Sequence, residues 1–231
     1  MTTIKRLAAL ALLTLAFGTA TADDMPQSWD GLVQVKPKRM DAAYLLPGAD
    51  FRSYTKLMVD PAEVAFAKNW LRSQNDSRNL SRQVTQEDAE KILAAARSNF
   101  DEIFVEAFTK AGYTIVQAPG PDVMRVSTGV LNLYVTAPDV PTAGRSTTYT
   151  TQAGEATLVI EVRDSTTNLL LGRVLDRRET QRSTMQMTTS VTNLAEFRTL
   201  FKAWAGTAVK GLQELKDHSP VPEDLKPKQK L

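Results

Sequence analysis

The chain has 231 residues, of which 42% are hydrophobic, 23% charged and 7% aromatic. These proportions are typical of a folded protein of one or at most two domains, and they exclude a disordered or collagen-like chain. The sequence contains no cysteine and a single histidine, His218, which excludes disulfides, thiol catalysis, an acylated N-terminal cysteine and a multi-histidine metal site. Composition therefore excludes several kinds of chemistry and indicates none.

Residues 1–22 are typical of a secretory signal peptide. Two basic residues at positions 5 and 6 precede an apolar run of about 11 residues, and a small-x-small cleavage signal, Ala20-Thr21-Ala22, follows. The run is too short for a membrane span, which needs about 20 apolar residues. We expect cleavage after Ala22, a periplasmic or secreted location, and a mature chain with no lipid anchor and no transmembrane segment.

Cleavage would also change the net charge. The full chain has 28 Lys and Arg against 26 Asp and Glu, and the two basic residues of the signal leave 26 of each in the mature chain. A neutral chain lacks the basic surface that nucleic-acid binding requires, and the basic segment Lys226 to Lys230 is interpreted as a solvated terminus. We expect no nucleic-acid partner. The expected partner is another envelope protein or an envelope glycan, and the oligomeric state stays open.

The mature chain divides into three parts. Residues 23–42 are predicted to be an extended lead-in, residues 43–216 a single domain, and residues 217–231, with three prolines, a flexible tail. The domain begins with two short apolar runs, 43–46 and 56–59, which are typical of strands.

A helix is predicted to begin at Asp60-Pro61-Ala62-Glu63. Asp60 can cap the free N–H groups, Pro61 suits the first helical position, and Glu63 adds an acid where the helix dipole favours one. Phe66 and Trp70 would then share one face as core residues.

The clearest helix is predicted over residues 85–111. Thr85 and Asp88 are spaced almost as in a capping box, apolar residues recur at steps of three and four, and Gly112 provides a stop. A second helix is predicted over 194–215, where Gly206 and Gly211 weaken it unless close packing requires them.

Strands are predicted between these helices. Residues 113–116 and 130–136 have strand patterns, and a hairpin joins 157–163 to 169–179 through a turn at 164–168. We therefore predict an α+β fold: a single domain with a mostly antiparallel sheet, and with helices 85–111 and 194–215 packed on one face.

An ordered set of short segments resembles a bacterial envelope family known as domain of unknown function 3313. The segments that carry this resemblance, over about residues 29–215, are Trp29-Asp30-Gly31-Leu32, Pro47-Gly48-Ala49-Asp50-Phe51, Asp60-Pro61-Ala62-Glu63-Val64-Ala65-Phe66, Ala118-Pro119-Gly120-Pro121-Asp122-Val123, Ala143-Gly144-Arg145-Ser146, Gly154-Glu155-Ala156-Thr157-Leu158, Asp176-Arg177-Arg178-Glu179 and Ser190-Val191-Thr192-Asn193. Many members look like lipoproteins, whereas this chain has no cysteine. The resemblance implies an envelope address and a single domain, and it implies no activity.

The first candidate site is the loop 137–151. Loops of this length inside a compact domain are often functional. Arg145 could hold a carboxylate or phosphate, with Tyr149 beside it as an aromatic contact. The alternative is that residues 146–151 form an exposed edge strand, where Thr and Tyr are common.

The second candidate is Asp176-Arg177-Arg178-Glu179 on the return strand of the hairpin, with Arg173 and Arg182 nearby. Strand alternation places Arg177 and Glu179 on one face and the other two residues on the opposite face. The segment is either a polar groove for an anionic glycan or peptide, or a set of cross-strand ion pairs on a solvated sheet. Residues 183–192, rich in Ser, Thr and Met, are either an adaptable contact or an edge strand or loop.

The sequence gives little support for a catalytic function. His218 lies in the predicted tail, which is a poor place for a preorganised base, and no phosphate loop or dinucleotide fingerprint is present. We expect no enzymatic activity, no catalytic residues, no cofactor and no metal.

The favoured function is a non-enzymatic protein-binding or assembly-accessory domain of the cell envelope. The alternative is a binding module for an envelope glycan or small anion that uses the 137–151 loop, and a carboxylate-dependent hydrolase is a remote third. A flat apolar patch would favour a protein partner, whereas a polar cleft would favour a ligand.

Overall fold

The computed structural model describes residues 25–76, 83–135, 148–188 and 190–230, with backbone alone for 148–153, 180–188 and 190–194. The predicted signal peptide lies outside these residues. The elements are β1 (Ser28–Trp29), β2 (Leu32–Val35), β3 (Ala42–Leu45), β4 (Lys56–Val59), β5 (Glu63–Phe66), α1 (Trp70–Asn75), α2 (Gln86–Lys110), β6 (Thr114–Ile115), β7 (Val123–Val135), β8 (Thr148–Asp164), β9 (Leu170–Thr188) and α3 (Ser190–Asp217).

The strands of the described residues form one sheet in the order β1-β2-β3-β9-β8-β7-β4-β6, and β5 also pairs with β7. The pairs from β1 through β9 and β8 to β7 are antiparallel, whereas β4 and β5 run parallel to β7, and β4 runs parallel to β6. The α+β prediction with a mostly antiparallel sheet is confirmed.

The helix predicted from residue 60 is wrong, because this segment belongs to the sheet. β4 pairs with the start of β7 and β5 with its middle, so the two short strands lie one after the other along the same edge. The Asp60 carboxylate caps no helix, since it accepts hydrogen bonds from Arg125 Nε (2.8 Å) and Ser127 Oγ (2.5 Å). The helix begins only at Trp70, which is buried and stacks on Phe66.

The α2 helix confirms the predicted caps. Thr85 and Asp88 form a reciprocal capping box. At the C-terminus Gly112 has φ +92°, its N–H donates to Thr109 O, and Tyr113 N–H donates to Phe108 O. This is a Schellman motif, and the ring contact between Phe108 and Tyr113 supplies its hydrophobic pair.

The strands of the central hairpin are longer than predicted. β7 begins at Val123 rather than at residue 130, and β8 and β9 extend to Thr148 and Thr188 beyond the end of β7. The strand pattern predicted for 130–136 is interrupted at Asn132, which has φ +52° and lies at a register shift. Val130 and Leu133 therefore both enter the main core.

The main core lies between the sheet and the helices α2 and α3. Phe100 of α2 packs edge-on against Phe201 of α3 at 5.2 Å between ring centroids, and both side chains are fully buried. Strand residues that share this cluster include Met124, Leu158 and Ile160. A smaller buried cluster around Leu32 and Tyr44 belongs to the strands β2, β3 and β9.

The two terminal segments pack against the domain, which differs from the prediction. Residues 23–42 contain β1 and β2 rather than an extended lead-in. Residues 217–230 were expected to be a flexible tail, but Val221 and Leu225 are buried in the main core and Gln229 bridges to Val35 of β2. Burial of two apolar side chains contributes roughly 1.5–3 kcal/mol each and offsets part of the entropy lost on ordering this segment.

Candidate functional site

A cavity of about 170 Å³ lies between α3 and the sheet, where the loop of residues 36–41 closes one side. We call this space the α3 cavity and residues 36–41 the rim loop. Its apolar lining comes from four parts of the chain: the rim loop with the adjoining β2 and β3, the end of α2, the strands β7 to β9, and α3. Representative lining residues are Met40, Phe108, Met124, Ile160, Val174 and Leu212.

The cavity exists because α3 presents small residues where it faces this part of the sheet. Thr207, Ala208 and Gly211 line the cavity, while the larger Leu212 and Leu215 bound it further along the helix. Small side chains leave space that the neighbouring core, packed with aromatic residues, does not have. The spacing of this lining along α3, at every third or fourth residue, is that of one helix face.

Gly211 marks the open space directly. Within the described part of the chain, a Cβ added at Gly211 would meet no atom within 4 Å. The same holds for Gly206, one and a half turns earlier on α3, but Gly206 does not line the cavity. Both glycines were expected to weaken the helix unless close packing required them. Neither is closely packed, and Gly211 instead keeps the cavity open.

The rim of the cavity is charged. Arg39 Nη1 donates to Glu214 Oε1 at 2.9 Å, and Lys38 Nζ donates to Glu214 Oε2 at 3.3 Å. The hydrogen bond from Arg39, followed by that from Lys38, lowers the pKa of Glu214 below its usual value. The carboxylate of α3 thus tethers the rim loop through two ion pairs that are partly exposed to solvent.

The candidate segment 176–179 of β9 also contacts the rim loop. Arg178 Nη2 donates to the carbonyl of Arg39 at 3.1 Å, and the backbone N–H of Arg177 donates to Asp41 Oδ2 at 2.8 Å. Arg178 is itself fixed by Asp176, which is buried and also accepts a 2.7 Å hydrogen bond from Trp204 Nε1. A buried carboxylate thereby links β9, α3 and the rim loop.

Arg177 and Glu179 share the sheet face opposite to that of Asp176, as alternation predicts. Arg177 Nη2 donates to Glu155 Oε2 at 2.6 Å. That hydrogen bond is the main cause of a raised pKa of Arg177, and the negative charge of Glu179 adds to it. The arrangement includes the cross-strand ion pairing that the sequence offered as one interpretation, while binding of an anionic glycan or peptide at these residues stays a prediction.

The side chains of the other two candidate residues are not among those that the structure describes. Arg145 lies within residues 136–147, outside the described residues. Tyr149 belongs to β8, so residues 148–151 of the predicted loop are strand, as the alternative interpretation held; its side chain is outside the described set. The proposal of a binding site at Arg145 and Tyr149 stays a prediction. Of the segment 183–192, which is rich in Ser, Thr and Met, residues 183–188 belong to β9 and residues 190–192 to the start of α3.

A second polar cluster surrounds Arg173 of β9, next to Trp29 and the smaller buried cluster. Arg173 donates from Nε and Nη2 to Glu161 Oε1 at 2.8 and 2.6 Å, and from Nη2 to Asp30 Oδ2 at 2.8 Å. Its guanidinium lies 4.0 Å from the ring centroid of Trp29, and Arg163 donates to the second oxygen of Glu161. These contacts fasten β1 and its turn to the sheet, and we assign them a structural role.

Sequence reasoning missed the residues of the α3 cavity. His218, placed in a flexible tail, lines the cavity just beyond the end of α3, with Nδ1 2.8 Å from the carbonyl oxygen of Glu214. Lys38 and Arg39 were placed in the lead-in. The one signal that could have pointed here is Gly211 inside an otherwise regular helical pattern, because a helix-interior glycine costs about 1 kcal/mol relative to alanine without a packing or functional reason.

Two features are absent from the described residues. None of the helices in these ranges combines the length and apolarity that a membrane crossing requires. No group of three or more His, Cys, Asp or Glu side chains in the same ranges is placed to hold a metal ion.

Comparison with known proteins identifies the family. The family model described as "Protein of unknown function (DUF3313)" matches residues 21–208. The chain belongs to the DUF3313 family. The resemblance predicted from the ordered segments is therefore confirmed. No curated protein matches the sequence significantly.

Solved structures with some likeness to this DUF3313 protein have low identity to it. Protein XCC0632 from Xanthomonas campestris, of the DUF330 family, is 14% identical, with a TM-score of 0.39 over 79% of this chain and 92% of its own. Two crystal forms of the PelC dodecamer from Paraburkholderia phytofirmans are 10% and 11% identical, with TM-scores of 0.38 and 0.33. They cover 74% and 71% of this chain and 97% and 96% of their own.

Proposed function

We propose that this DUF3313 protein is an exported, non-enzymatic binding domain of the cell envelope, and that its α3 cavity holds the apolar part of a ligand. The observation that carries the proposal is a concave apolar space kept open by small α3 residues, Gly211 above all. Cavities that bind small molecules are concave and mostly apolar, with a few polar groups that fix orientation.

The size of the cavity supports this reading. An engineered cavity of about 150 Å³ lined by aliphatic and aromatic residues stays dry and binds benzene. The α3 cavity, at about 170 Å³, is of that size and has a similar lining, with Phe108, Ile160 and Leu212 among its residues. Unfilled space of this kind costs stability, since an empty cavity lowers the free energy of unfolding by about 24 cal/mol per Å³. A binding function would explain why the protein retains a cavity that lowers its free energy of unfolding.

The shape of the site bears on the ranking of functions. A flat apolar patch would favour a protein partner, whereas a polar cleft would favour a glycan or anion. The α3 cavity is concave and apolar, so it favours an apolar group over a glycan. A charged rim at Lys38, Arg39 and Glu214 is the polar part of the site.

The proposed export rests on residues 1–22 and is tested by the molecular mass of the exported protein. Expression of the full chain in a bacterial host, followed by mass spectrometry of the periplasmic fraction, should give a species that begins at Asp23. An intact N-terminus in the cytoplasm would contradict the proposed location.

The binding part is tested with the neutral apolar fluorophore N-phenyl-1-naphthylamine. We expect saturable fluorescence enhancement with the folded protein, loss of binding in Gly211→Leu, and retained binding in the control Gly206→Leu. Equal binding by all three proteins would place the fluorophore elsewhere and contradict the assignment of the cavity.

A further inference from the structure

The charge around the α3 cavity has one dominant sign. The rim loop contributes Lys36, Lys38 and Arg39, all three exposed and all three at the cavity. Among the described lining residues, Glu214 is the acid that faces them. The rim loop also holds Asp41, so three cations stand against two carboxylates. This count leaves a local excess of positive charge at the mouth of an apolar space, although the mature chain as a whole is predicted to be neutral.

The C-terminal segment brings further basic residues to the same edge of the domain. The N–H of Lys36 donates to the carbonyl of Gln229 at 2.9 Å, and the N–H of Lys228 donates to the carbonyl of Gln34 at 2.8 Å. The backbone of residues 228–229 therefore runs alongside the start of the rim loop, and the exposed residues Lys228 and Lys230 belong to the same edge of the domain. The basic segment that the sequence analysis treated as a solvated terminus lies beside the cavity mouth.

We propose that the occupant of the α3 cavity is a single-chain amphiphile with an anionic headgroup, a carboxylate or a phosphate ester. The proposal rests on the proposed function and names the ligand class for the same site. The alkyl chain lies among Met40, Phe108 and Leu212, where it is removed from water, and the headgroup lies at the rim beside Lys36 and Lys38. A headgroup on the cationic rim stays hydrated, so no charge needs to be buried.

The experiment compares three probes that share an eight-carbon chain: octanoate, octanol and octyltrimethylammonium. Binding to the mature full-length chain is measured by titration calorimetry or by displacement of N-phenyl-1-naphthylamine. We expect octanoate to bind more tightly than octanol, and octanol more tightly than the cation. Added NaCl should weaken the binding of octanoate and leave octanol unchanged, because salt screens exposed charges.

Two surface variants shift the rim charge in opposite directions without touching the core. Lys36→Gln removes a rim cation and should weaken octanoate binding by about two- to fivefold, the scale of an exposed ion pair. Glu214→Gln releases Lys38 and Arg39 from their carboxylate and should strengthen octanoate binding by a similar factor. Octanol binding should respond to neither change.

The two headgroups are separated with octyl phosphate, a phosphate ester that has the same eight-carbon chain as octanoate. Tighter binding of either octanoate or octyl phosphate than of octanol supports the proposal, and the tighter of the two identifies the headgroup, because equal chains bury equal apolar surface.

Each contrary outcome has a distinct meaning. If octanol binds as tightly as octanoate and both are lost in Gly211→Leu, the headgroup class is wrong while the proposed function stands. Tightest binding by octyltrimethylammonium also overturns the proposal. If no probe binds, both the ligand class and the proposed function are overturned, and the cavity is left for an apolar side chain of a partner protein. Circular dichroism of each variant confirms that it has folded.

Discussion

Filling the α3 cavity from Gly211 should stabilise the protein while it abolishes binding. Gly211→Leu gains about 0.8 kcal/mol of helix propensity, because leucine is a much better helix former than glycine. The new side chain also enters apolar space, and burial of a leucine contributes about 1.5–3 kcal/mol. Because the cavity is open at its rim, we take the lower part of that range and expect the free energy of unfolding to rise by about 2–3 kcal/mol.

Gly206→Leu is the matched control. Gly206 lies on the same helix, is half-buried like Gly211, and has the same open space around its Cβ position, but it does not line the cavity. It should gain only the helix propensity of about 0.8 kcal/mol. For a domain of this size the two changes correspond to a rise in Tm of about 5–10 °C for Gly211→Leu and about 2–3 °C for Gly206→Leu.

The assay is urea unfolding followed by circular dichroism, with calorimetry for Tm. Equal stabilisation of the two variants would refute the idea that Gly211 faces a cavity that its neighbours leave empty. Destabilisation by Gly211→Leu would show that the space cannot accept a leucine side chain. In either case the proposed binding site would lose its structural basis.

Three further predictions concern the sheet and the rim of the cavity. Gly154→Ala should cost more than about 2 kcal/mol and lower Tm, since its φ is +155° and a Cβ would lie 1.7 Å from the carbonyl oxygen of Tyr134; a Tm equal to wild type would contradict this geometry. Asp176→Ala should cost about 3 kcal/mol in urea unfolding, because it leaves Trp204 Nε1 buried without its acceptor and removes the anchor of the rim loop; a loss below about 1 kcal/mol would show that the carboxylate is not a structural link. Glu214 has a lowered pKa, so it contributes stability above its ordinary pKa of 4.5 and loses that contribution as pH falls through the lowered value; the small stability difference between wild type and Glu214→Gln should therefore be present at pH 7 and vanish in strong acid, and a difference that does not change with pH would contradict the ion pairs.

Elements whose identity depends on local chemistry could be predicted from the sequence. The capping box at Thr85, the Gly112 stop and the turn at 164–168 are decided by contacts within a few residues, and the structure contains all three. The helix predicted at Asp60 failed for the opposite reason. Its capping residue and proline are good local signals, but pairing with β7, distant in sequence, determines the conformation of Glu63–Phe66.

The candidate site was less accessible to sequence reasoning. The cavity is built from the rim loop, the sheet and α3, which are far apart in the chain and were each assigned other roles. Only the fold brings Lys38 and Arg39 to Glu214, because no sequence pattern links residues that are about 175 positions apart. The Asp176–Arg178 segment was correctly divided between two faces, but its contacts with the rim loop depend on the pairing of β3 with β9.

The central claim, that the α3 cavity takes the apolar chain of a ligand, is tested most directly at the methionine methyl groups. Met40 and Met124 line the cavity, whereas Met58 does not. Selective ¹³C labelling of the methionine methyls gives a resonance for each, and octanoate is then titrated into the labelled protein. We expect saturable shifts at Met40 and Met124 with Met58 unmoved, and none of these shifts in Gly211→Leu. Shifts that spare Met40 and Met124 would contradict the claim.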